Sequence, residues 1–177
     1  TPVLPEGVSE IASDCDNILD EVRRLRFSTH SPVNLHVYDW LGNHTGLTFD
    51  DNIELGIPDS NFIQVGDSTF VFVPEQAGYR VTIDAYATGE FDFRVRTLTN
   101  GQVQQSVAYN DIPIDNSNLG AEFDFTDINN MGSLDVDRNG DGIADAGYNS
   151  DASWVPYNAT IQSTIDDMER IYLLGWI

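Results

Sequence analysis

The middle of the chain, from about residue 32 to residue 126, is a series of short segments rich in Val, Phe, Tyr and Thr. Gly, Asn and Asp separate these segments, which is typical of an antiparallel β domain. Alternation is clearest where Phe91, Phe93 and Val95 would face a core while Asp92, Arg94 and Arg96 face water. Thr99-Asn100-Gly101 then predicts a tight hairpin turn. We expect strands over 33–38, 52–55, 62–65, 69–73, 79–86, 90–98, 103–108 and 121–125, and hence a two-sheet sandwich.

Helical periodicity occurs on both sides of this region. Apolar residues between Ile11 and Leu25 recur at spacings of three and four, which predicts an amphipathic helix over about 9–26. Ser9 fits its N-cap. A second stripe predicts a helix over about 159–174, and it consists of Ile161, Ile165, Met168 and Tyr172. The expected fold is therefore mainly β, an antiparallel β-sandwich flanked by an N-terminal and a C-terminal amphipathic helix.

The most specific motif lies between residues 137 and 145, where oxygen-bearing side chains alternate and a glycine follows. A calcium ion takes about six to eight oxygen ligands at roughly 2.3–2.6 Å, which a curled loop supplies from alternate side chains and one carbonyl. With Asp137 at position one, the pattern predicts a calcium loop. Its ligands are the side chains of Asp137, Asn139, Asp141 and Asp145 and the carbonyl oxygen of Ile143. Tyr148 stands where an EF-hand has an acid, so Asp135, Asp151 or Asp127 would complete the site.

This loop resembles the calcium repeats of dockerins and of thrombospondin type 3 arrays. Their pattern D-x-[DN]-x-D-G-x-x-D is matched by Asp137, Asn139, Asp141, Gly142 and Asp145. The resemblance implies calcium as the bound ion. The chain has one copy rather than a pair, and the residues after the loop lack a helical pattern, so docking to a cohesin is not favoured. The competing interpretation is a solvated acidic turn without metal.

The β region resembles accessory β-sandwich modules similar to pre-peptidase C-terminal domains. The resemblance rests on segments 31–39, 42–46, 78–83 and 88–95, whose shared residues are turn and core residues. Such modules are appended to secreted microbial hydrolases and surface proteins. The resemblance implies an ancillary rather than a catalytic role.

The charge of the chain is extreme. It has 29 acidic residues against eight Arg and no Lys, which gives a net charge of −21. A field this negative repels phosphates, so binding of nucleic acid or anionic lipid is not expected, whereas cations are attracted. The missing lysines have two explanations: adaptation to high salt, as in a haloarchaeal source, or a secreted calcium protein of low isoelectric point.

Other sequence features concern membrane insertion, disulfide formation and the location of the protein. No segment has the apolar length of a membrane span, and membrane insertion is not expected. Thr1-Pro-Val-Leu-Pro5 lacks the features of a signal peptide, and Cys15 is a single cysteine, so no intramolecular disulfide forms. Weak glycosylation sequons begin at Asn43 and Asn158 and point to an extracellular or cell-surface location.

Catalytic motifs give little support for an enzyme. No nucleophile elbow, zinc-protease, phosphate-loop or dinucleotide pattern occurs. Nothing in the spacing of His30, His36 and His44 forces them together, and His36 is predicted to be a surface residue of a strand. Acids are too abundant for any catalytic pair to stand out. Four aromatic residues are candidates for a carbohydrate platform or for the core and rim of the sandwich: Tyr38, Trp40, Tyr86 and Trp154.

These observations predict four segments: an N-terminal helical segment over 1–28, a β-sandwich over 29–127, a calcium-loop region over 128–156 and a C-terminal helix over 157–177. The expected function is a non-enzymatic, extracellular calcium-binding structural and interaction module. Calcium would order the loop that joins the sandwich to the last helix. The alternatives are a calcium-dependent subunit of a surface layer or filament, which associates through the terminal helices, and a carbohydrate-binding accessory domain of a secreted hydrolase.

Overall fold

The computed structural model describes residues 21–30 and 32–154. They form two antiparallel β-sheets. The described residues contain no helix, and so none long and apolar enough to cross a membrane. Strands are numbered along the chain. The six-stranded sheet has, in spatial order, β13 (Ala152–Trp154), β9 (Gln102–Ile114), β8 (Gly89–Thr99), β1 (Arg23–His30), β6 (Ser68–Pro74) and β5 (Asn61–Val65). The seven-stranded sheet has β12 (Ala146–Tyr148), β11 (Leu134–Asp137), β10 (Gly120–Phe125), β7 (Tyr79–Ala85), β2 (Val33–Tyr38), β3 (His44–Leu47) and β4 (Ile53–Leu55).

Aromatic side chains from both sheets meet in the core. Phe27 of β1 packs edge-on against Tyr79 of β7 and Phe125 of β10, with ring centroids 6.0 and 5.8 Å apart. Phe93 of β8 lies 5.4 Å from Phe123 of β10. Tilted and edge-to-face contacts of this kind are favourable beyond the apolar area that they bury. The two sheets therefore pack face to face around one aromatic core.

Strand β8 has the alternation that its sequence predicts on the core side. Phe91, Phe93 and Val95 are buried. The opposite side differs from the expectation, because Arg96 is only 5% exposed and donates a hydrogen bond from Nε to Ser106 Oγ at 3.1 Å. A charged side chain can be buried when hydrogen bonds compensate for the loss of water. The charge of Arg96 was therefore not enough to predict that it faces solvent.

The predicted flanking helices are wrong for the part of the chain that the structure describes. Strand β1 occupies the last turn of the predicted first helix: it pairs with β6 on one side and β8 on the other. Leu25 and Phe27 are both fully buried, with the period of two that a strand requires. Pairing along both edges outweighs the spacing of three and four. Residues 9–20 of that prediction and the whole second helix, 159–174, lie outside the described residues.

The predicted strands correspond to β2 and to β4 through β10. Strands β8 and β9 are joined at Asn100 and Gly101, whose φ angles of 52° and 81° fit the tight turn predicted there. Five strands were not predicted: β1, β3, β11, β12 and β13. Region 128–156 thus contributes β11 and β12 to one sheet and β13 to the other, so it lies along the edges of both sheets.

Candidate functional site

The predicted calcium loop connects β11 to β12 at an edge of the seven-stranded sheet. Strand β11 forms because Leu134 and Val136 alternate inward, where both are fully buried. The same alternation directs Asp135 and Asp137 away from the core. Asp137 therefore stands at the end of a fixed strand, where the chain leaves the sheet and the loop begins.

The carboxylate of Asp137 organises the first half of the loop. Its Oδ1 accepts hydrogen bonds from the backbone N–H of Asn139 at 3.1 Å and of Gly140 at 2.7 Å. Its Oδ2 accepts one from the N–H of Gly142 at 2.6 Å. Desolvation raises the pKa of Asp137, but these hydrogen bonds outweigh it and hold the pKa below its ordinary value. The carboxylate is thus kept ionised, with the backbone curled around it.

The second half of the loop closes back on the first. Asp145 Oδ2 accepts hydrogen bonds from the backbone N–H of Arg138 at 2.9 Å and from Asn139 Nδ2 at 3.3 Å. Asp141 Oδ1 accepts one from the N–H of Ile143 at 2.9 Å. Of the predicted ligands, Asp137, Asn139 and Asp145 are joined by hydrogen bonds, whereas Asp141 bonds within its own turn.

The neighbouring turn over 115–119 supports the loop. A Cβ on Gly140, where φ is +78°, would lie 2.9 Å from the backbone oxygen of Asn118. Only glycine combines this φ with so close an approach. Arg138 Nη2 donates to Tyr148 Oη at 2.6 Å and Nη1 lies 4.0 Å from Asp115 Oδ2. Tyr148, which stands where an EF-hand has an acid, anchors the loop instead.

The three acids proposed to complete the site make other contacts. Asp135 Oδ1 accepts a hydrogen bond from Ser133 Oγ at 2.7 Å. Asp151 Oδ2 accepts one from the backbone N–H of Asn110, at 2.6 Å, on the six-stranded sheet. Asp127 Oδ1 accepts one from the N–H of Asn129 at 3.0 Å in a separate turn. None of these three hydrogen bonds joins its acid to residues 137–145.

The donor chemistry of the loop fits calcium, because the predicted ligands are carboxylate, amide and carbonyl oxygens. Within residues 21–30 and 32–154, however, no three His, Cys, Asp or Glu side chains are grouped as a metal site. Three carboxylates this close along the chain repel one another unless a cation lies between them.

The sequon at Asn43 lies in a tightly bonded turn. Asn43 Nδ2, the atom that would carry a glycan, donates to Asp39 Oδ2 at 2.8 Å, and Thr45 is fully buried. A glycan at Asn43 would therefore require this turn to open. Asn158, the second candidate, lies outside the described residues.

The candidate aromatic platform is divided between two ends of a sheet. Trp40 is 71% exposed and follows β2, whereas Tyr86 is 54% exposed and follows β7. Because β2 and β7 are antiparallel, these two residues lie at opposite ends of the pair. Tyr38 instead stacks on His44, with ring centroids 4.8 Å apart. Nothing is described of the Trp154 side chain.

Two histidines that the sequence left apart come together on the outer face of the seven-stranded sheet. His36 Nδ1 and His44 Nε2 are 3.1 Å apart. His44 Nδ1 lies 2.7 Å from Glu54 Oε2, and His36 Nε2 lies 3.4 Å from Asp84 Oδ2. Burial lowers the pKa of His36, Asp84 opposes this shift and His44 adds to it, so the pKa stays below its ordinary value. The interpretation of His36 as a simple surface residue was incomplete.

The β2–β3 hairpin produces this contact. Its register pairs His36 with Gly46 and Tyr38 with His44, which places the two histidines diagonally across the hairpin. A Cβ on Gly46 would lie 2.7 Å from His44 Nε2, so the glycine leaves the space into which the His44 ring turns. A register drawn from the turn over 39–43 would have revealed this pair.

Comparisons with known proteins add no relative: no family model, no curated protein and no solved structure matches this chain. The function therefore has to be inferred from its own residues.

Proposed function

We propose that this chain is a non-enzymatic calcium-binding structural and interaction module of an extracellular or cell-surface protein. The observation that carries the proposal is the Asp137 carboxylate, which three backbone N–H groups surround at position one of a calcium-loop pattern. Their hydrogen bonds fix the curl of the loop before any ion binds. The remaining oxygens then follow at the spacing that a calcium ion requires.

Calcium would be held by Asp137, Asn139, Asp141 and Asp145 together with the carbonyl oxygen of Ile143. It would supply positive charge that draws the carboxylates together and removes their mutual repulsion. These residues would move only at their side chains, because β11 and β12 already fix the two ends of the loop. Binding energy gained in the folded state alone adds directly to stability.

The position of the loop determines which contacts calcium would stabilise. Strand β12 begins at Ala146 and lies at the edge of the seven-stranded sheet. Strand β13 begins at Ala152, six residues later, and lies at the edge of the other sheet. The backbone N–H of Asp151 bonds to the oxygen of Ala108 in β9 at 2.9 Å. A calcium-ordered loop would hold this crossing in place and so clamp one sheet to the other.

A calcium-dependent assembly subunit is the second candidate, and an exposed sheet edge favours it. Strand β4 ends the seven-stranded sheet, and its Ile53 and Leu55 are 58% and 53% exposed. Phe49, in the turn before β4, is fully exposed. Unpaired edge strands with apolar side chains are prone to pair with another chain.

Thermal unfolding with simultaneous light scattering tests both candidates. Samples with excess CaCl2 or with chelator are compared at a fixed high ionic strength, so that general charge screening is constant. A higher midpoint in calcium at constant mass supports the module, and a higher midpoint with growing mass supports assembly. If neither CaCl2 nor MgCl2 changes the unfolding midpoint, the calcium proposal is overturned.

A further inference from the structure

Glu54, His44, His36 and Asp84 form a connected chain of side-chain contacts, apart from the calcium loop. All four side chains lie on the outer face of the seven-stranded sheet, on β4, β3, β2 and β7. The two imidazoles are mostly buried, with 12% and 14% of their side-chain surface exposed, whereas the two carboxylates are at least half exposed. The rings are therefore held in place by the sheet and can still be reached from solvent.

When both imidazoles are neutral, their hydrogen-bond contacts indicate which ring nitrogens of His36 and His44 carry protons. An ionised carboxylate only accepts, so the contact of 2.7 Å with Glu54 places a proton on His44 Nδ1. His44 Nε2 is then an acceptor, and His36 Nδ1 carries the proton between the two rings. In this arrangement His36 Nε2 has no proton, and it lies 3.4 Å from Asp84 Oδ2.

We propose that His36 Nδ1 and His44 Nε2 together bind a divalent transition metal that prefers imidazole, such as Zn²⁺ or Cu²⁺. At metal–nitrogen distances of about 2.0–2.1 Å, two nitrogens 3.1 Å apart subtend an angle of about 100° at the metal. This value lies between the right angle of square-planar copper sites and the tetrahedral angle of zinc sites. The strands can stay in place, and the two rings, which face each other across 3.1 Å, would turn to direct both lone pairs at the metal.

The outer nitrogens complete the argument. A metal-bound histidine commonly donates its other ring N–H to a carboxylate, which fixes the ring and makes it a better ligand. Both histidines here have such a carboxylate, Glu54 for His44 and Asp84 for His36. Each histidine therefore has a carboxylate beside its outer nitrogen, and the two inner nitrogens face each other at 3.1 Å.

The protons balance when the metal binds. The proton between the rings leaves His36 Nδ1 and an equivalent proton is carried by His36 Nε2, from which Asp84 accepts a hydrogen bond. Both inner nitrogens then present lone pairs to the metal and the outer nitrogens keep one proton each, so a neutral pair releases none. Glu54 and Asp84 lie at the outer nitrogens rather than between the rings, so in this proposal water would supply the remaining ligands.

Titration calorimetry with ZnCl2 on the full chain, in excess CaCl2 to occupy carboxylate sites, tests the proposal. We expect His36→Gln and His44→Gln each to abolish the zinc heat. His30→Gln is the matched control, because His30 lies on the other sheet and bonds Ser68 Oγ at 2.6 Å. Glu54→Gln should weaken binding by about 10- to 100-fold, the usual effect of losing an outer partner. Equal zinc binding by all four variants overturns the proposal.

A measurement on the unsubstituted chain keeps the test valid if a variant fails to fold. In ¹⁵N spectra of the imidazoles, ZnCl2 should shift His36 Nδ1 and His44 Nε2 and leave His30 unchanged. With CuCl2, the electron paramagnetic resonance spectrum should show coupling to two nitrogens. If the nitrogen signals of His36 and His44 do not move at saturating zinc, the pair shares only a proton and the metal site is refuted.

Discussion

The hydroxyl group of Tyr109 donates a hydrogen bond to the backbone oxygen of Gly132 at 2.6 Å. Tyr109 belongs to β9 of the six-stranded sheet, and Gly132 lies two residues before the first residue of β11 in the other sheet. The ring is fully buried and packs on Phe93 and Phe123. The Tyr109 side chain thus holds the start of the β11–β12 hairpin, which carries the predicted calcium loop, against the opposite sheet.

Tyr109→Phe should loosen this hairpin. The substitution removes the hydroxyl group that donates to the Gly132 oxygen and leaves that oxygen without this hydrogen bond. The free energy of unfolding should therefore fall by about 1–2 kcal/mol. Amide exchange in β11 and β12 should become faster. Tyr79→Phe is the matched control: Tyr79 donates to the backbone oxygen of Pro74 at 2.9 Å, across the connection between β6 and β7. If both variants change exchange in β11 equally, Tyr109 has no special role there.

Alkaline pH should reveal the two buried phenols. Burial raises the pKa of Tyr79 and of Tyr109 to about 12. A phenol in the unfolded chain ionises near pH 10, so their contribution to stability is complete below about pH 10. It is lost as pH rises towards about 12. Ultraviolet titration of the phenolate band should show two late tyrosines, and the double variant Tyr79→Phe, Tyr109→Phe should lack them.

The parts of the fold that the sequence predicts are those with a local signal. Phe91, Phe93 and Val95 alternate within one segment, so β8 can be identified without knowing its neighbours. The helix predicted over 9–26 fails at Leu25 because that residue fits both periods. Pairing with β6 and β8 decides between them, and both strands lie far along the chain.

The same distinction separates the two candidate sites. The hydrogen bonds around Asp137 come from residues two to five positions later, so the loop is visible as a motif. The contact between His36 and His44 depends on strand register and on the empty space beside Gly46. The positions of the histidines alone do not reveal that register, which becomes visible only when strands β2 and β3 are paired across the turn between them.

Asp39 should make stability sensitive to acid. Burial raises the pKa of Asp39, but hydrogen bonds from the Asn43 side chain and from the backbone of Asn43, Leu41 and Gly42 outweigh it and lower the pKa. Its contribution is therefore complete above the unfolded-state pKa of about 3.9 and is lost as pH falls through the lower folded-state value. Asp39→Asn should lose about 1–3 kcal/mol at neutral pH.

Urea unfolding between pH 2 and pH 7 at fixed salt checks this prediction. The difference between the parent chain and Asp39→Asn should shrink below about pH 4, where the Asp39 carboxyl of the unfolded chain begins to bind a proton that the folded chain does not yet bind. Asp50→Asn is the control, since Asp50 is exposed in the turn between β3 and β4. A difference that stays constant down to pH 2 would rule out the carboxylate as its source.

Gly140→Ala should disturb the loop more than Gly142→Ala. Both glycines have positive φ, +78° and +86°, so alanine strains both by a similar amount. At Gly140 the new Cβ would also lie 2.9 Å from the Asn118 oxygen, whereas at Gly142 nothing lies within 4 Å. Thermal unfolding in chelator compares the two variants. Equal losses would mean that the loop does not depend on its contact with Asn118.

Asp141 allows the charge of the calcium loop to be separated from its shape. Its Oδ1 accepts the Ile143 N–H in the turn, and an asparagine at this position can keep that hydrogen bond. Asp141→Asn should therefore leave the midpoint in chelator almost unchanged and reduce the stabilisation by calcium. Asp141→Ala should lower both. Asp50→Ala is the matched control, since it removes the same charge from an exposed turn outside the loop.

Calcium titration of these variants by calorimetry completes the argument. Calcium affinity depends on how many of the ligands are charged. Asp141→Asn removes one charged ligand, so this variant should bind calcium more weakly than the parent chain. Asp50→Ala should bind as the parent does, because screening in high salt removes long-range effects of a single charge. If Asp141→Asn and Asp50→Ala lose affinity equally, calcium responds only to net charge. The pattern over 137–145 is then an acidic turn.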